Sequence, residues 1–208
     1  MPNRRAERIS GRRAGKLAAL IAIVATATVQ VGTAQADIKS PGAHTPYTTD
    51  IDLHLVWQWN QEVFDEGIGL GMRAYFNVLD NGPVPTINNS LAVGLGADLT
   101  FSDGGCGPID CDAFQVWVPF LVQWNFFFSE SFSIFPEIGL ALQYVNVDWG
   151  GENFADIPGI NFDYGYDDDD LDVELVLWLG GRYMFSRSVG MSLRIGHPSL
   201  LLGLTLLF

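Results

Sequence analysis

Basic residues are scarce in this chain and unevenly spread. Eleven Lys and Arg stand against 24 Asp and Glu, and most of the eleven, Arg4, Arg5, Arg8, Arg12, Arg13 and Lys16, fall before residue 17. Residues 37–208 are left with 5 basic against 23 acidic side chains, a balance of −18. So acidic a surface repels phosphate backbones and excludes nucleic acid as a partner. Histidine is scarcer still, with His44, His54 and His197 the 3 in the chain. Nucleophilic or acid–base chemistry needs a His that converges with Ser and an acid. The sequence places His44 in an N-terminal stretch, His54 on the polar side of a strand and His197 in a turn. His197-Pro198-Ser199 brings a His near a Ser only along the chain. The reading is therefore not an enzyme, with no cofactor. Beyond the first 36 residues, no apolar run reaches the roughly 20 residues that a membrane-spanning helix requires.

What is present begins with a leader. The basic start is followed by a mostly apolar run from Leu17 to Val31 and then by Ala34-Gln35-Ala36 before Asp37. A basic region, a short apolar centre and a small-x-small site are the parts of a secretory signal peptide. A membrane anchor is the competing reading, but Thr26, Thr28 and Gln30 dilute the run. Residues 1–36 are read as a signal peptide removed after Ala36. Arg12-Arg13 is a weak sign of twin-arginine export, and ordinary secretion is preferred. Residues 37–50 are read as an N-terminal tail, and 51–208 as one domain.

Hydrophobic residues make up 48% of the chain, yet they alternate instead of massing. Eight segments show period-2 patterning: 51–60, 67–79, 90–102, 113–127, 131–147, 171–185, 188–196 and 199–208. Ile51, Leu53, Leu55, Trp57 and Trp59 alternate with Asp52, His54, Gln58 and Asn60; Val173, Leu175, Leu177 and Leu179 alternate with Asp172 and Glu174. Alternation at this length, broken by Gly, Asp and Asn, predicts strands. Pro119 falls in mid-strand and is expected to mark a bulge that shifts the parity locally.

An even set of long strands with one continuous apolar face suits either a soluble sandwich or barrel, or a transmembrane barrel whose apolar face points outward. Aromatic placement decides. With the first strand running outward, Trp57, Trp59, Phe101, Phe114 and Tyr144 reach one rim on the apolar face. Phe76, Trp124, Phe126, Phe132, Tyr183, Phe185 and Phe208 reach the other, around an aliphatic middle. Two aromatic girdles match two membrane–water interfaces. The same assignment makes Ser129-Glu130 and Ser186-Arg187 tight inner turns. The longer 103–112 and 148–170 connections fall outside, the usual asymmetry of such barrels. Asp80–Asn89 and the short His197-Pro198 turn depart from it. The predicted fold is all-β, an eight-stranded antiparallel up-and-down transmembrane β-barrel.

In this layout the chain resembles the small eight-stranded outer-membrane barrels, such as the membrane domain of outer membrane protein A and outer membrane protein X. The resemblance lies in pattern over 37–208, and its most specific piece is the ending, Leu202, Leu204, Leu206 and Phe208. It implies residence in the outer membrane of a Gram-negative bacterium. The implied partners are outer-membrane lipid, lipopolysaccharide and the barrel-assembly machinery that reads such a terminus.

The polar side of the strands carries Arg73, Asp98, Glu137, Glu174, Arg182 and Arg194. An eight-stranded barrel is just wide enough for side chains to fill, so these six are expected to pair and plug the lumen, with Glu137 or Glu174 beside Arg182 and Arg194. Trp117, Leu121, Val145 and Trp178 are expected inside with them. Cys106 and Cys111, both in "GGCGPIDC", are read as a loop disulfide in an exported chain. Half a metal site is the other reading, with no His nearby. The run "DYGYDDDDLDVE" gathers Asp167, Asp168, Asp169, Asp170 and Asp172. It is either a solvated loop or, in the sharper reading, a divalent-cation site at 167–172, though it lacks the EF-hand spacing. Three function classes remain. A plugged barrel with a structural or surface-interaction role through loops 103–112 and 148–170 leads. A small channel for ions or solutes is the alternative, and an outer-membrane enzyme or hydrophobic-ligand carrier ranks last.

Overall fold

A computed structural model describes residues 37–59, 66–103, 112–148 and 169–208. The regular elements within them are eight strands: β1 (Thr49–Trp59), β2 (Glu66–Leu79), β3 (Asn89–Asp103), β4 (Asp112–Phe127), β5 (Phe132–Asp148), β6 (Asp169–Met184), β7 (Val189–His197) and β8 (Ser199–Leu207). Each pairs antiparallel with its neighbours in sequence, and β8 returns to β1, closing a barrel. The closing seam runs from Asp50 opposite Leu207 to Gln58 opposite Ser199. Closure leaves no strand edge along this seam, so backbone donors and acceptors are satisfied between neighbours.

The period-2 pattern sorts side chains by wall face. In β8, Ser199, Leu201, Gly203, Thr205 and Leu207 are buried inside, while Leu204 and Phe208 are exposed. Across the barrel the outward face is aliphatic: Leu70, Leu95, Leu140, Leu175 and Ile195 stand among its exposed residues. Aromatic rings collect at both ends of this face. At one end Trp57 lies 5.8 Å from Trp59 and Phe101 lies 5.1 Å from Phe114. At the other, Trp124 and Phe126 (4.7 Å), Phe128 and Phe132 (6.1 Å), and Tyr183 and Phe185 (5.8 Å) pair, with Phe208 exposed nearby in the fold's terminal position.

Pro119 does not shift the parity. It faces inward and is buried. The β3–β4 pairing lapses opposite Gly96 and Ala97, then resumes at Asp98 opposite Trp117 in the register it had at Leu95 opposite Phe120. A missing N–H interrupts the ladder without inserting a residue. The register shift in this part of the barrel lies instead between Asn77 and Leu79 of β2.

The two tight turns share one construction. Ser129 Oγ accepts hydrogen bonds from the backbone N–H groups of Ser131 (3.2 Å) and Phe132 (2.9 Å). Ser186 Oγ does the same for Ser188 (3.3 Å) and Val189 (3.1 Å). The 80–89 connection is held by Asn89, whose Nδ2 donates to the carbonyls of Val84 (2.7 Å) and Ile87 (2.8 Å).

Residues ahead of β1 do not trail away as a free tail. The strand begins at Thr49, and the preceding segment folds beneath the same mouth as those turns. His44 stacks on Phe127 at 4.1 Å and its Nδ1 lies 2.6 Å from Asn88 Oδ1. The Asn88 N–H donates to the carbonyl of Ile38 (2.7 Å), and Gly42 makes the turn between them with φ of 70°, a conformation that suits a residue without Cβ. The last residue is tied in as well: the carbonyl of Phe208 accepts from the N–H groups of Thr48 (2.7 Å) and Thr49 (3.2 Å).

Candidate functional site in the barrel interior

Interior positions must be filled without clashing, and glycine makes the space. A Cβ at Gly94 would meet the ring of Tyr75, and one at Gly180 would meet the ring of Phe135. These small residues let two aromatic rings lie across the neighbouring strand. The rings in turn form platforms for the guanidiniums. Arg194 lies 5.7 Å from the Tyr75 centroid and 5.1 Å from that of Phe135. Arg182 also stands over Phe135 (5.2 Å), and Arg73 over Trp178 (4.2 Å). Stacking on a ring satisfies the broad face of a guanidinium and leaves its edge for hydrogen bonds.

Those edges close a cycle of six side chains. Asp52 is bound by Arg194 Nη1 at 3.0 Å, and Arg194 Nε donates to Glu137 at 3.0 Å. Glu137 accepts from Arg73 at 3.3 Å, and Arg73 Nη2 donates to Asp98 at 2.9 Å. Asp98 lies 2.8 Å from His54 Nε2, and His54 Nδ1 lies 2.8 Å from Asp52, where the cycle began. The members come from β1, β2, β3, β5 and β7, so the cycle cross-links five of the eight strands. Ser192, Thr205 (3.0 Å) and Gln123 (2.7 Å) donate to its carboxylates. A separate pair, Arg182 with Asp50, lies nearer the mouth that the N-terminal segment covers. Arg73, Arg194, Glu137, Asp50 and Asp52 are 0% exposed. Each of the four buried carboxylates, Asp50, Asp52, Asp98 and Glu137, thus meets a guanidinium, as burial of charge demands.

Beyond the cycle, toward the other mouth, lies an apolar layer of Val56, Trp117, Leu121, Val176, Trp178 and Leu201. Its two indoles are satisfied, Trp117 Nε1 by Gln115 (3.2 Å) and Trp178 Nε1 by the Ser199 carbonyl (3.2 Å). Val145, higher still, is half-buried.

Five of the six charges expected inside, Arg73, Asp98, Glu137, Arg182 and Arg194, are in these contacts. Glu174 is not. It faces inward opposite Ala141, is only partly buried, and makes no ion pair among the described residues. Eight residues of strand separate it from Arg182, about 26 Å at the rise of a β-strand. The expectation that it serves Arg182 or Arg194 is therefore corrected: Asp50 takes Arg182, and Asp52 with Glu137 takes Arg194. Sequence reasoning missed both aspartates. The sequence places Asp50 in the N-terminal tail and shows Asp52 only as one polar member of the first alternating segment. Their parity with His54, together with the β1–β8 closure, is the signal that points to them.

At His54 both ring nitrogens face carboxylates, and the nearby Ser192 hydroxyl donates to Asp52. His197 is exposed, whereas Ser199 is buried inside the wall. Among the described residues no group of three or more His, Cys, Asp or Glu is placed to hold a metal ion. Cys106, Cys111, Asp167 and Asp168 lie outside the described residues, and Asp172 is exposed.

No protein-family profile matches the chain, and no curated protein matches it. Several solved structures are similar in fold. Ail, the attachment invasion locus protein of Yersinia pestis, is 8% identical with a TM-score of 0.45, over 78% of this chain and 99% of that one. Neisserial surface protein A is 13% identical with a TM-score of 0.47, over 78% and 97%. The outer membrane protein OprG from Pseudomonas aeruginosa is 12% identical with a TM-score of 0.41, over 81% and 93%. At these identities the likeness concerns the barrel and nothing finer. The class defined by the fold is a small eight-stranded antiparallel barrel.

Proposed function

We propose that this chain is an integral outer-membrane barrel with a plugged lumen, and that its role is structural or surface-interacting, carried by the external loops 103–112 and 148–170. The supporting observation is the inversion of the wall. The outward face exposes Ile68 (62%), Leu70 (64%), Val173 (63%) and Leu175 (62%), while Arg, Asp and Glu are buried within. In water that arrangement leaves a large apolar surface uncovered. In a bilayer the same surface meets acyl chains, and the aromatic rings at its two ends meet the headgroup layers.

The cycle of ion pairs carries the plug. It spans the lumen at one level, and the apolar layer adjoining it offers no polar path for ions. A steady conductance would need both to part. Recording from the purified barrel in a planar bilayer is expected to show no steady single-channel openings at neutral pH. Regular openings would instead support the small-channel reading. The bilayer assignment is tested separately by gel mobility: a folded barrel resists cold detergent and shifts on boiling, and one unchanged band would refute it.

Residues 1–36 act in this proposal as the export signal. Leu202, Leu204, Leu206 and Phe208 form the terminus that barrel-assembly machinery reads. Cys106 and Cys111 staple the 103–112 loop. Neither that loop nor 148–170 contains Lys or Arg, so neither brings a cation to lipopolysaccharide phosphates. Divalent cations at 167–172 would bridge the two anionic surfaces. Calorimetry with millimolar calcium tests this, and the absence of a binding signal would remove it.

A further inference from the structure

The wall is uneven in height. Strand β6 has 16 residues and β5 has 17, whereas β7 and β8 have 9 each. The His197-Pro198 turn ends the last hairpin early, and the outermost β6–β7 pair is Leu177 opposite His197. Residues 169–176 of β6 therefore pair with β5 on one side and, among the described residues, with no strand on the other. Every second residue of such an edge turns its N–H and C=O away from the sheet. Leu171 lies opposite Tyr144, one of the aromatics of the outer rim, and about 20 Å of strand separate it from Leu177. The edge thus descends from the rim into the aliphatic band, where unpaired backbone groups cannot turn to water. Its side chains alternate: Leu171 (68% exposed), Val173 and Leu175 point outward, and Asp172 and Glu174 share the inner side. Asp172 is exposed and Glu174 half-buried, and neither forms an ion pair among the described residues.

We propose that this edge takes up an extended segment of another protein, as an added strand whose residues alternate apolar and basic. Strand addition satisfies the open N–H and C=O groups. The apolar side of the segment continues the lipid-facing wall above β7, and its Lys or Arg side meets Asp172 and Glu174. Charge selects this occupant. After residue 36 the basic side chains are Lys39, Arg73, Arg182, Arg187 and Arg194. Arg73 and Arg194 are held in the cycle and Arg182 by Asp50, while Lys39 and Arg187 belong to the opposite mouth. Segments 60–65, 104–111 and 149–168 contain no Lys or Arg, so none of them brings a counter-charge to the edge. A second copy paired edge to edge sets acid against acid, which is unfavourable across strands. The site gives the surface-interaction role a partner of stated chemistry, and it rests on the outer-membrane reading for the level of the edge in the bilayer.

The test uses the folded barrel in phosphatidylcholine nanodiscs, whose headgroups carry no net charge. The probe is an eight-residue peptide, acetyl-Leu-Lys-Val-Lys-Leu-Lys-Val-Lys-amide. Its controls are the same peptide with Glu for Lys and two forms N-methylated on alternate residues, one for each set. Amide hydrogen exchange of residues 171–176 reports binding. Exchange is expected to be fast without peptide and to slow at least tenfold on saturable binding. The Glu form should not bind, and only one N-methylated form should bind, because a single side of the added strand faces β6. Asp172→Asn with Glu174→Gln is expected to weaken binding about tenfold, at about threefold for each partly exposed pair. Slow exchange already present without peptide would overturn the proposal, since the chain itself would fill the edge. Exchange that slows as the barrel is concentrated would overturn it in favour of a second copy. Equal binding of the Glu form, binding of both N-methylated forms, or unchanged affinity in a double variant that still shifts on boiling would each overturn it as well. A chain that gives no heat-shifted band and enters no nanodisc refutes the outer-membrane reading and this site with it. A folded, inserted barrel that fails to bind the peptide refutes the site alone.

Discussion

Replacing Arg194 by Met is the sharpest perturbation of the interior. The substitution keeps much of the stem and its contact with the Phe135 and Tyr75 rings, but removes the guanidinium. Two carboxylates lose a partner at once, Asp52 (3.0 Å) and Glu137 (3.0 Å). Neither is left bare. Asp52 keeps His54 (2.8 Å) and Thr205 (3.0 Å), and Glu137 keeps Arg73 (3.3 Å) and Gln123 (2.7 Å). What remains is an excess of buried negative charge. Removing one partner of a buried pair typically costs 3–5 kcal/mol, and the residual hydrogen bonds place the expected loss at about 3 kcal/mol. Against a total of roughly 5–15 kcal/mol for a domain this is a large share. Glu137→Gln, nearly isosteric, removes one of the stranded charges. The double variant is therefore expected to be more stable than the sum of the single losses, with a coupling of about 1–3 kcal/mol. Reversible urea unfolding of the barrel in lipid vesicles, followed by tryptophan fluorescence, measures all three. A loss below about 1 kcal/mol for Arg194→Met, or strict additivity in the double variant, would show that these charges are hydrated and that no closed cycle holds the strands.

Gly94→Leu places a side chain in the ring of Tyr75 and is expected to abolish the heat-modifiable folded band, whereas Gly181→Ala, with nothing nearer than 3.9 Å, should retain it; equal yields would refute the packing argument. Deleting Phe208 removes the carbonyl that receives the N–H groups of Thr48 and Thr49 as well as the terminal ring, and folded protein in the outer membrane is expected to fall severalfold, as read by surface labelling. Phe208→Asp keeps those backbone bonds, so a milder loss than deletion would separate the seam from the ring. Non-reducing peptide mapping of protein from intact cells should recover Cys106 and Cys111 in one linked fragment, and free labelling of both thiols would end the staple.

The barrel was legible in the sequence because its two constraints are both local. A wall one residue thick forces period 2 along every strand, and the turns interrupt that period. Observed strand ends accordingly fall within two residues of the alternating segments, as for 67–79 against Glu66–Leu79 and 199–208 against Ser199–Leu207. Pro119 departs from the sequence expectation because proline has two consequences in a ladder. It removes a donor, which here leaves only a gap in pairing, and it often accompanies a bulge, which here it does not. The packed N-terminal segment was not legible. His44, Tyr47 and Ile38 show no period, since they settle on a mouth formed by Asn88, Ser90 and Phe127 from distant parts of the chain.

The interior was legible by face but not by height. Parity tells which side of the wall a charge occupies, and it put Arg73, Asp98, Glu137, Glu174, Arg182 and Arg194 together without distinguishing their levels. Height comes from counting residues from a turn. Glu137 stands five residues from Phe132 at the start of β5, and Arg194 five from Val189 at the start of β7. Both strands leave tight turns at the same mouth, so the two side chains share a level, and they meet at 3.0 Å. Asp50 and Asp52 lie at the start of β1, close to the same mouth, which is why they reach Arg182 and Arg194. Glu174 is 10 residues from the end of β6 at Met184, about 33 Å of strand. Its distance from the arginines follows from strand rise alone. The charge cycle therefore depends on strand register as much as on residue type: moving β7 by two residues would keep every side chain on its face and still take Arg194 roughly 7 Å from both its carboxylates.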